Sequence, residues 1–170
     1  MKKNIFFPFI IVLFAACNGK NLKQYDNNLL QCPKKPTAIF APTMRTVTKH
    51  EFLLTKTEST ERVKFDDGGA LEIVQSGCEK VQQEFRFILP PDPPYSTGEE
   101  WAQVVAGQFQ KLSGIEPKLM GFMQWAEQIN AQKERFKIGE PLQIGGKQVV
   151  KISVMPSKDL TLLTVNVTEP

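Results

Sequence analysis

The 170-residue chain reads as an α+β protein built on an antiparallel sheet of about six strands, with two helices packed on one face. Three observations predict this class. Period-two alternation of apolar and polar residues recurs between residues 46 and 89 and again between 150 and 167. Helical spacing replaces it between residues 97 and 130. The proline-rich run 90–94 separates the two regimes.

The elements follow in order. Residues 46–57 are rich in Thr and apolar side chains and suit a first strand. Val63 and Phe65 share one face of a second, which ends at the turn signal Asp66-Asp67-Gly68-Gly69. Leu71 and Ile73 alternate against Glu72 in a third, closed by a turn at Ser76-Gly77-Cys78-Glu79. Val81, Phe85, Phe87 and Leu89 face one way in a fourth, opposite Gln82, Glu84 and Arg86. Short loops make these four strands a meander. The proline run then acts as a rigid connector, the alternative being a proline-rich ligand for an aromatic groove.

Thr97 and Glu100 have capping-box spacing, as do Ser96 and Glu99. Trp101, Val104, Val105, Phe109 and Leu112 form the apolar stripe of a first helix, which Ser113-Gly114 ends. A second helix is expected from near Pro117, with Leu119, Phe122, Met123, Ala126 and Ile129 on its apolar face. Pro141 and Gly145-Gly146 are expected to break the chain again. Val150, Ile152 and Val154, then Leu163, Val165 and Val167, give a C-terminal β-hairpin around Pro156-Ser157-Lys158-Asp159. The order is therefore a four-strand meander, a two-helix hairpin and a β-hairpin.

Composition narrows the class of protein. With 41% apolar and 23% charged residues, the chain is neither largely disordered, nor collagen-like, nor a polytopic membrane protein. A net charge of +3 is too small to imply nucleic-acid binding. One His and three Cys exclude a Cys/His zinc module built from this chain alone, and no cofactor is expected.

The N-terminus has the layout of a targeting segment. Met1-Lys2-Lys3-Asn4 is positive, and residues 5–16 are uncharged. Twelve such residues are short for a membrane-spanning helix, which needs about 20. The run ends at Ala15-Ala16-Cys17, followed by polar Asn18-Gly19. Residues 1–18 resemble the lipobox signal of bacterial lipoproteins, although Phe14 stands where that family carries an aliphatic residue. The resemblance implies a signal peptide over 1–16 and a lipid on Cys17. Asn18 after the Cys implies, by the enterobacterial sorting rule, the outer membrane and a domain facing the periplasm. An ordinary secretory signal, with Cys17 incidental, is the alternative.

If Cys17 carries the lipid, Cys32 and Cys78 are the remaining pair. They are either a disulfide, which an oxidising periplasm favours, or two separate buried thiols. Residues 17–45 are expected to form a basic tether, and residues 46–170 a single domain. Residues 18–50 carry six Lys/Arg and one acid, whereas 51–170 carry 13 Lys/Arg and 17 Asp/Glu. The basic part would lie against anionic head groups, at about 1 kcal/mol per basic residue, or act as a solvated tether.

Candidate chemistry is sparse. His50 is the only His and lacks a nucleophile motif, so a surface strand position is expected for it. Asp66-Asp67 and Glu99-Glu100 are adjacent acids, explained by a turn and by the first turn of a helix. Gly145-Gly146-Lys147 lacks the remainder of a phosphate loop. Asn166-Val167-Thr168 spells a glycosylation site by chance within a strand. Met120 and Met123 suit core filling better than an adaptable binding surface.

The expectation is a non-enzymatic, lipid-anchored envelope protein that binds another protein, as an inhibitor, an immunity factor or an assembly accessory. It binds no nucleic acid on this reading, and its membrane contact is the N-terminal lipid. An envelope hydrolase using carboxylates or His50 is one alternative. A carrier of lipid or a small ligand, with a cavity between helices and sheet, is another.

Overall fold

The alternating segments form seven strands: β1 (Val47–Leu54), β2 (Glu58–Phe65), β3 (Ala70–Ser76), β4 (Gln82–Leu89), β5 (Pro141–Ile144), β6 (Gln148–Pro156) and β7 (Thr161–Thr168). The computed structural model describes residues 28–32, 35–78, 80–91 and 93–168. The proposed signal segment and Cys17 lie outside them. All pairings are antiparallel, in the order β1-β2-β3-β4-β7-β6-β5. Between β4 and β5 come α1 (Gly98–Ser113), a 3-10 turn at Pro117–Leu119, α2 (Gly121–Ala131) and a second 3-10 turn at Lys133–Arg135.

The α+β class and the meander, helical hairpin and C-terminal hairpin are as the sequence predicts. The seventh strand is β5, four residues beginning on Pro141 and too short to show a pattern. It pairs with β6 at the sheet edge, where a residue without an N–H is tolerated. Val81 lies before β4 and is exposed, so the strand begins one residue later than expected. The second helix begins at Gly121, since Pro117 opens a 3-10 turn instead.

Turn chemistry sets the register. Gly68 takes φ +84° in the β2–β3 turn, where Phe65 N–H donates to the Gly69 carbonyl at 2.9 Å. The side chain of Thr97 accepts from Glu100 N–H at 3.2 Å, and the Glu100 carboxylate accepts from Thr97 N–H at 2.9 Å, completing the capping box of α1.

One sheet face, here called inner, packs on the helices. Phe85 of β4 lies at its centre, with ring centroids 5.2 Å from Phe109, 5.7 Å from Phe122 and 5.6 Å from Trp125, all edge-on. Val63, Leu71, Ile73, Phe87, Val150, Ile152, Leu163 and Val165 complete this face, and all are buried.

Two side-by-side helices cover about 20 Å of sheet, while seven strands span about 29 Å. The shortfall is met by the segment expected to be tether. Leu29, Cys32, Phe40 and Met44 are buried, so the expected boundary at residue 46 falls inside the packed structure. Residues 35–46 form a strap over the inner face of β1–β3. The strap's Thr37 carbonyl accepts from Gln75 Nε2 at 3.3 Å, and the Phe40 ring meets Phe65 edge-on at 5.7 Å. Upstream, Leu29 N–H donates to the Lys56 carbonyl at 2.7 Å. Cys32 and Cys78 form a disulfide, with Cα atoms 5.5 Å apart.

Candidate interaction surface

The strap and both helices share the inner face, which leaves the outer face of the sheet without cover from any described element. Period-two geometry and the observed registers arrange its side chains in rows across the strands. One row runs Glu51, Arg62, Glu72, Arg86, Thr164 and Ser153. The next runs Lys49, Lys64, Ala70, Ile88, Leu162 and Met155. The first begins as an alternating charge ladder, and the second changes from basic to apolar along its length.

The ladder is internally paired. Arg62 Nε lies 2.6 Å from Glu72 Oε2, and Arg86 Nη1 lies 2.5 Å from Glu72 Oε1. Arg86 also pairs with Glu84, and Lys49 lies 2.9 Å from Glu51. Partial burial pushes the Glu72 carboxyl up, but the two guanidinium groups outweigh it and hold Glu72 below the ordinary carboxylate range. Lys49 lowers Glu51 likewise. These charges satisfy one another across the strands while staying partly open to solvent.

The apolar half of the face is exposed. Ile88 is 47% accessible and Met155 67%, neighbours through Leu162, while Leu53 on β1 is 62% accessible. A shallow hollow of about 190 Å³, lined by Lys49, Arg62, Lys64, Glu72 and Ile88 among others, lies where the charged and apolar parts meet. A broad face of this kind fits a protein surface better than a small molecule, which selects concave, enclosing sites.

The residues considered for catalysis are not brought together. His50, expected on the surface, points to the inner face. Its side chain is only 10% exposed, and its Nε2 lies 2.8 Å from Glu61 Oε1. That carboxylate is fully buried and also accepts the N–H groups of Ile39 and Phe40, each at 2.8 Å. His50 thus belongs to the clasp that holds the strap. Glu61 was not singled out in the sequence, yet it had a signal: a charge on the same parity of β2 as Val63 and Phe65.

Asp67 is paired with Lys111, which also sits 5.8 Å from the Phe65 ring centroid. Lys111 and the Gly69 N–H lower the Asp67 carboxyl. Glu100 is consumed by the capping box, and the Ser96 and Thr97 N–H groups lower its carboxyl. Glu99 pairs with Lys133 at 3.1 Å. Glu99 and Lys111 sit about 18 Å apart along α1 at 1.5 Å per residue, so the two acidic pairs lie at opposite ends of the helix. Paired-carboxylate glycosidases need no more than about 9.5 Å. Two open clefts of about 450 and 490 Å³ flank the Asp67–Lys111 pair, and His50 lines neither.

Gly145 and Gly146 form the β5–β6 turn with φ +39° and +77°, a backbone role in place of a phosphate loop. Asn166 sits mid-strand on the outer face between Glu84 and Lys151. Met123 is half-buried and Met120 is exposed at the start of α2, so neither fills the buried core as expected. Among the described residues, no three His, Cys, Asp or Glu side chains converge as metal ligands. None of the described helices is long and apolar enough to cross a membrane.

Fold and surface together define an α+β protein with one sheet face packed under helices and strap and the other covered by none of the described elements. Comparison with known protein families, with curated proteins and with solved structures returns no match.

Proposed function

We propose that the chain is a lipid-anchored protein of the bacterial envelope, held to the outer membrane through Cys17, whose domain binds another envelope protein without catalysing a reaction. The outer face, with its internally paired charge ladder beside exposed Ile88 and Met155, is the observation that carries this reading. The Cys32–Cys78 disulfide supports an oxidising compartment such as the periplasm. The resemblance of residues 1–18 to a lipobox signal supports the anchor.

The alternatives fit the geometry less well. A hydrolase would need His50 and the carboxylates to converge at one cleft, but His50 is tied to Glu61, Glu99 and Glu100 serve the start of α1, and Asp66 and Asp67 line a cleft that none of these reaches, with Asp67 paired to Lys111. A carrier would need space between helices and sheet, where the rings of Phe85, Phe109, Phe122 and Trp125 pack against one another. Expression of the full chain with a C-terminal tag in its native envelope, crosslinking and mass spectrometry test the reading. One dominant partner, reduced by Cys17→Ala, is expected. No partner above background with either chain would overturn it.

A further inference from the structure

Among the described residues, the outer edge of β1 has backbone bonding capacity that no other segment meets. Thr55 N–H donates to the Glu58 carbonyl at 2.8 Å, so these residues close the β1–β2 hairpin as a bonded pair. Alternation from that point makes Leu53–Thr60 and Glu51–Arg62 the bonded pairs toward β2. His50, Phe52 and Leu54 therefore direct both N–H and C=O away from the sheet. Among the described residues, no backbone group meets them.

The two edges of the sheet are guarded differently. β5 is four residues long and opens on Pro141, which has no N–H to donate. On β1, the register shift between Val47 and Lys49 and the charge of Lys49 protect the first half of the strand. Residues 50–54 have no such irregularity, and Leu53 among them is largely exposed.

We propose that a second copy of the chain adds its own β1 to this edge, antiparallel, with Phe52 opposite Phe52 of the second copy. His50 then pairs with Leu54 and Leu54 with His50, giving about six backbone hydrogen bonds. On the inner face, ring meets ring and imidazole meets Leu. On the outer face, Glu51 lies beside Leu53, and no like charges are opposed. The register centred on Glu51 places two carboxylates opposite each other, which is unfavourable. Registers centred nearer the N-terminus bring the irregular 47–49 segment into the ladder. The register centred on Leu53 keeps only two bonded pairs within β1, about four hydrogen bonds in place of six. Charge placement, the bulge and the end of the strand thus select the Phe52-centred pairing. Because β5 is blunt, association closes at two copies instead of running on as a fibre.

The test uses the full chain in density-matched detergent, by sedimentation equilibrium and by amide exchange at several protein concentrations. A dimer mass is expected, with the amides of His50, Phe52 and Leu54 exchanging more slowly as concentration rises. Bonded antiparallel pairs hold their Cα atoms about 5.5 Å apart, within disulfide reach. Phe52→Cys should therefore give about tenfold more crosslinked dimer than Leu54→Cys, whose counterpart lies across from His50. A monomer mass with free exchange at every concentration would overturn the proposal. So would slow exchange independent of concentration, which would mean the chain covers its own edge. Equal crosslinking by the two variants would also overturn it.

Discussion

His50 Nε2 lies 2.8 Å from Glu61 Oε1, and the two oxygens of that buried carboxylate also receive the N–H groups of Ile39 and Phe40. Three groups from two different segments thus converge on one side chain. A buried carboxylate is tolerable only when its lone pairs are met, and here the strap and β1 meet them. Replacing Glu61 with Gln removes the charge and turns one acceptor into a donor aimed at an N–H. Glu61→Gln should cost about 3 kcal/mol by urea denaturation. A loss below about 1 kcal/mol would show that the clasp contributes little.

Four carboxylates, two on the outer face and two beside α1, predict acid sensitivity. Glu51, Asp67, Glu72 and Glu100 all have carboxyls held below their ordinary range in the folded state. A depressed folded value means the stabilisation is present above the unfolded value and is lost as pH falls through the folded one. Stability should be level near neutrality and decline from about pH 4.5 downward. Glu72→Gln, which frees Arg62 and Arg86 from their shared partner, should make that decline shallower. An unchanged pH profile in Glu72→Gln would contradict the assignment.

Two glycines of α1 should respond oppositely. A Cβ on Gly98 would lie 2.0 Å from the Phe136 carbonyl oxygen, so the start of the helix cannot accept one without moving backbone. Gly98→Ala should destabilise by about 1–3 kcal/mol or more. A Cβ on Gly107 meets nothing within 4 Å, and Gly107→Ala should stabilise by about 0.5–1 kcal/mol through helix propensity. Thermal unfolding of both variants checks the pair.

The Cys32–Cys78 disulfide joins the segment before the strap to the β3–β4 turn and spans a sequence separation of 46. In the chain-entropy view such a closure contributes about 4 kcal/mol. The Cys32→Ser, Cys78→Ser double variant should lose much of this. Its strap amides, those of Ile39 and Phe40, should exchange faster before the sheet amides do. Unaltered strap protection would mean that the Glu61 clasp holds the strap alone.

Much of the fold was legible because the alternation of Val63, Phe65, Leu71, Ile73, Phe85 and Phe87 has a single explanation in a half-buried sheet. The capping box at Thr97 and the turn at Gly68 fixed where elements begin and end. The strap was not legible. Phe40 and Met44 lie among prolines and basic residues with no period, and only the width of the sheet relative to two helices calls for a third cover. His50 misleads for a different reason: it stands between charged Lys49 and Glu51, and its partner Glu61 is remote in sequence. Counting cysteines left Cys32 and Cys78 either paired or as separate thiols, and the structure pairs them. The interaction surface was not visible as such, because a row such as Ala70, Ile88, Leu162 and Met155 comes from four strands and exists only once their registers are set.

The most direct test of the central claim compares partner capture by the unaltered full chain with capture by an Ile88→Glu, Met155→Glu double variant, both crosslinked in the native envelope. Both positions are exposed, so the variant should fold, as circular dichroism would confirm. The account predicts one dominant partner for the unaltered chain and its loss for the folded variant. Equal capture by both chains would contradict it, since the partner would then be held somewhere other than the uncovered face.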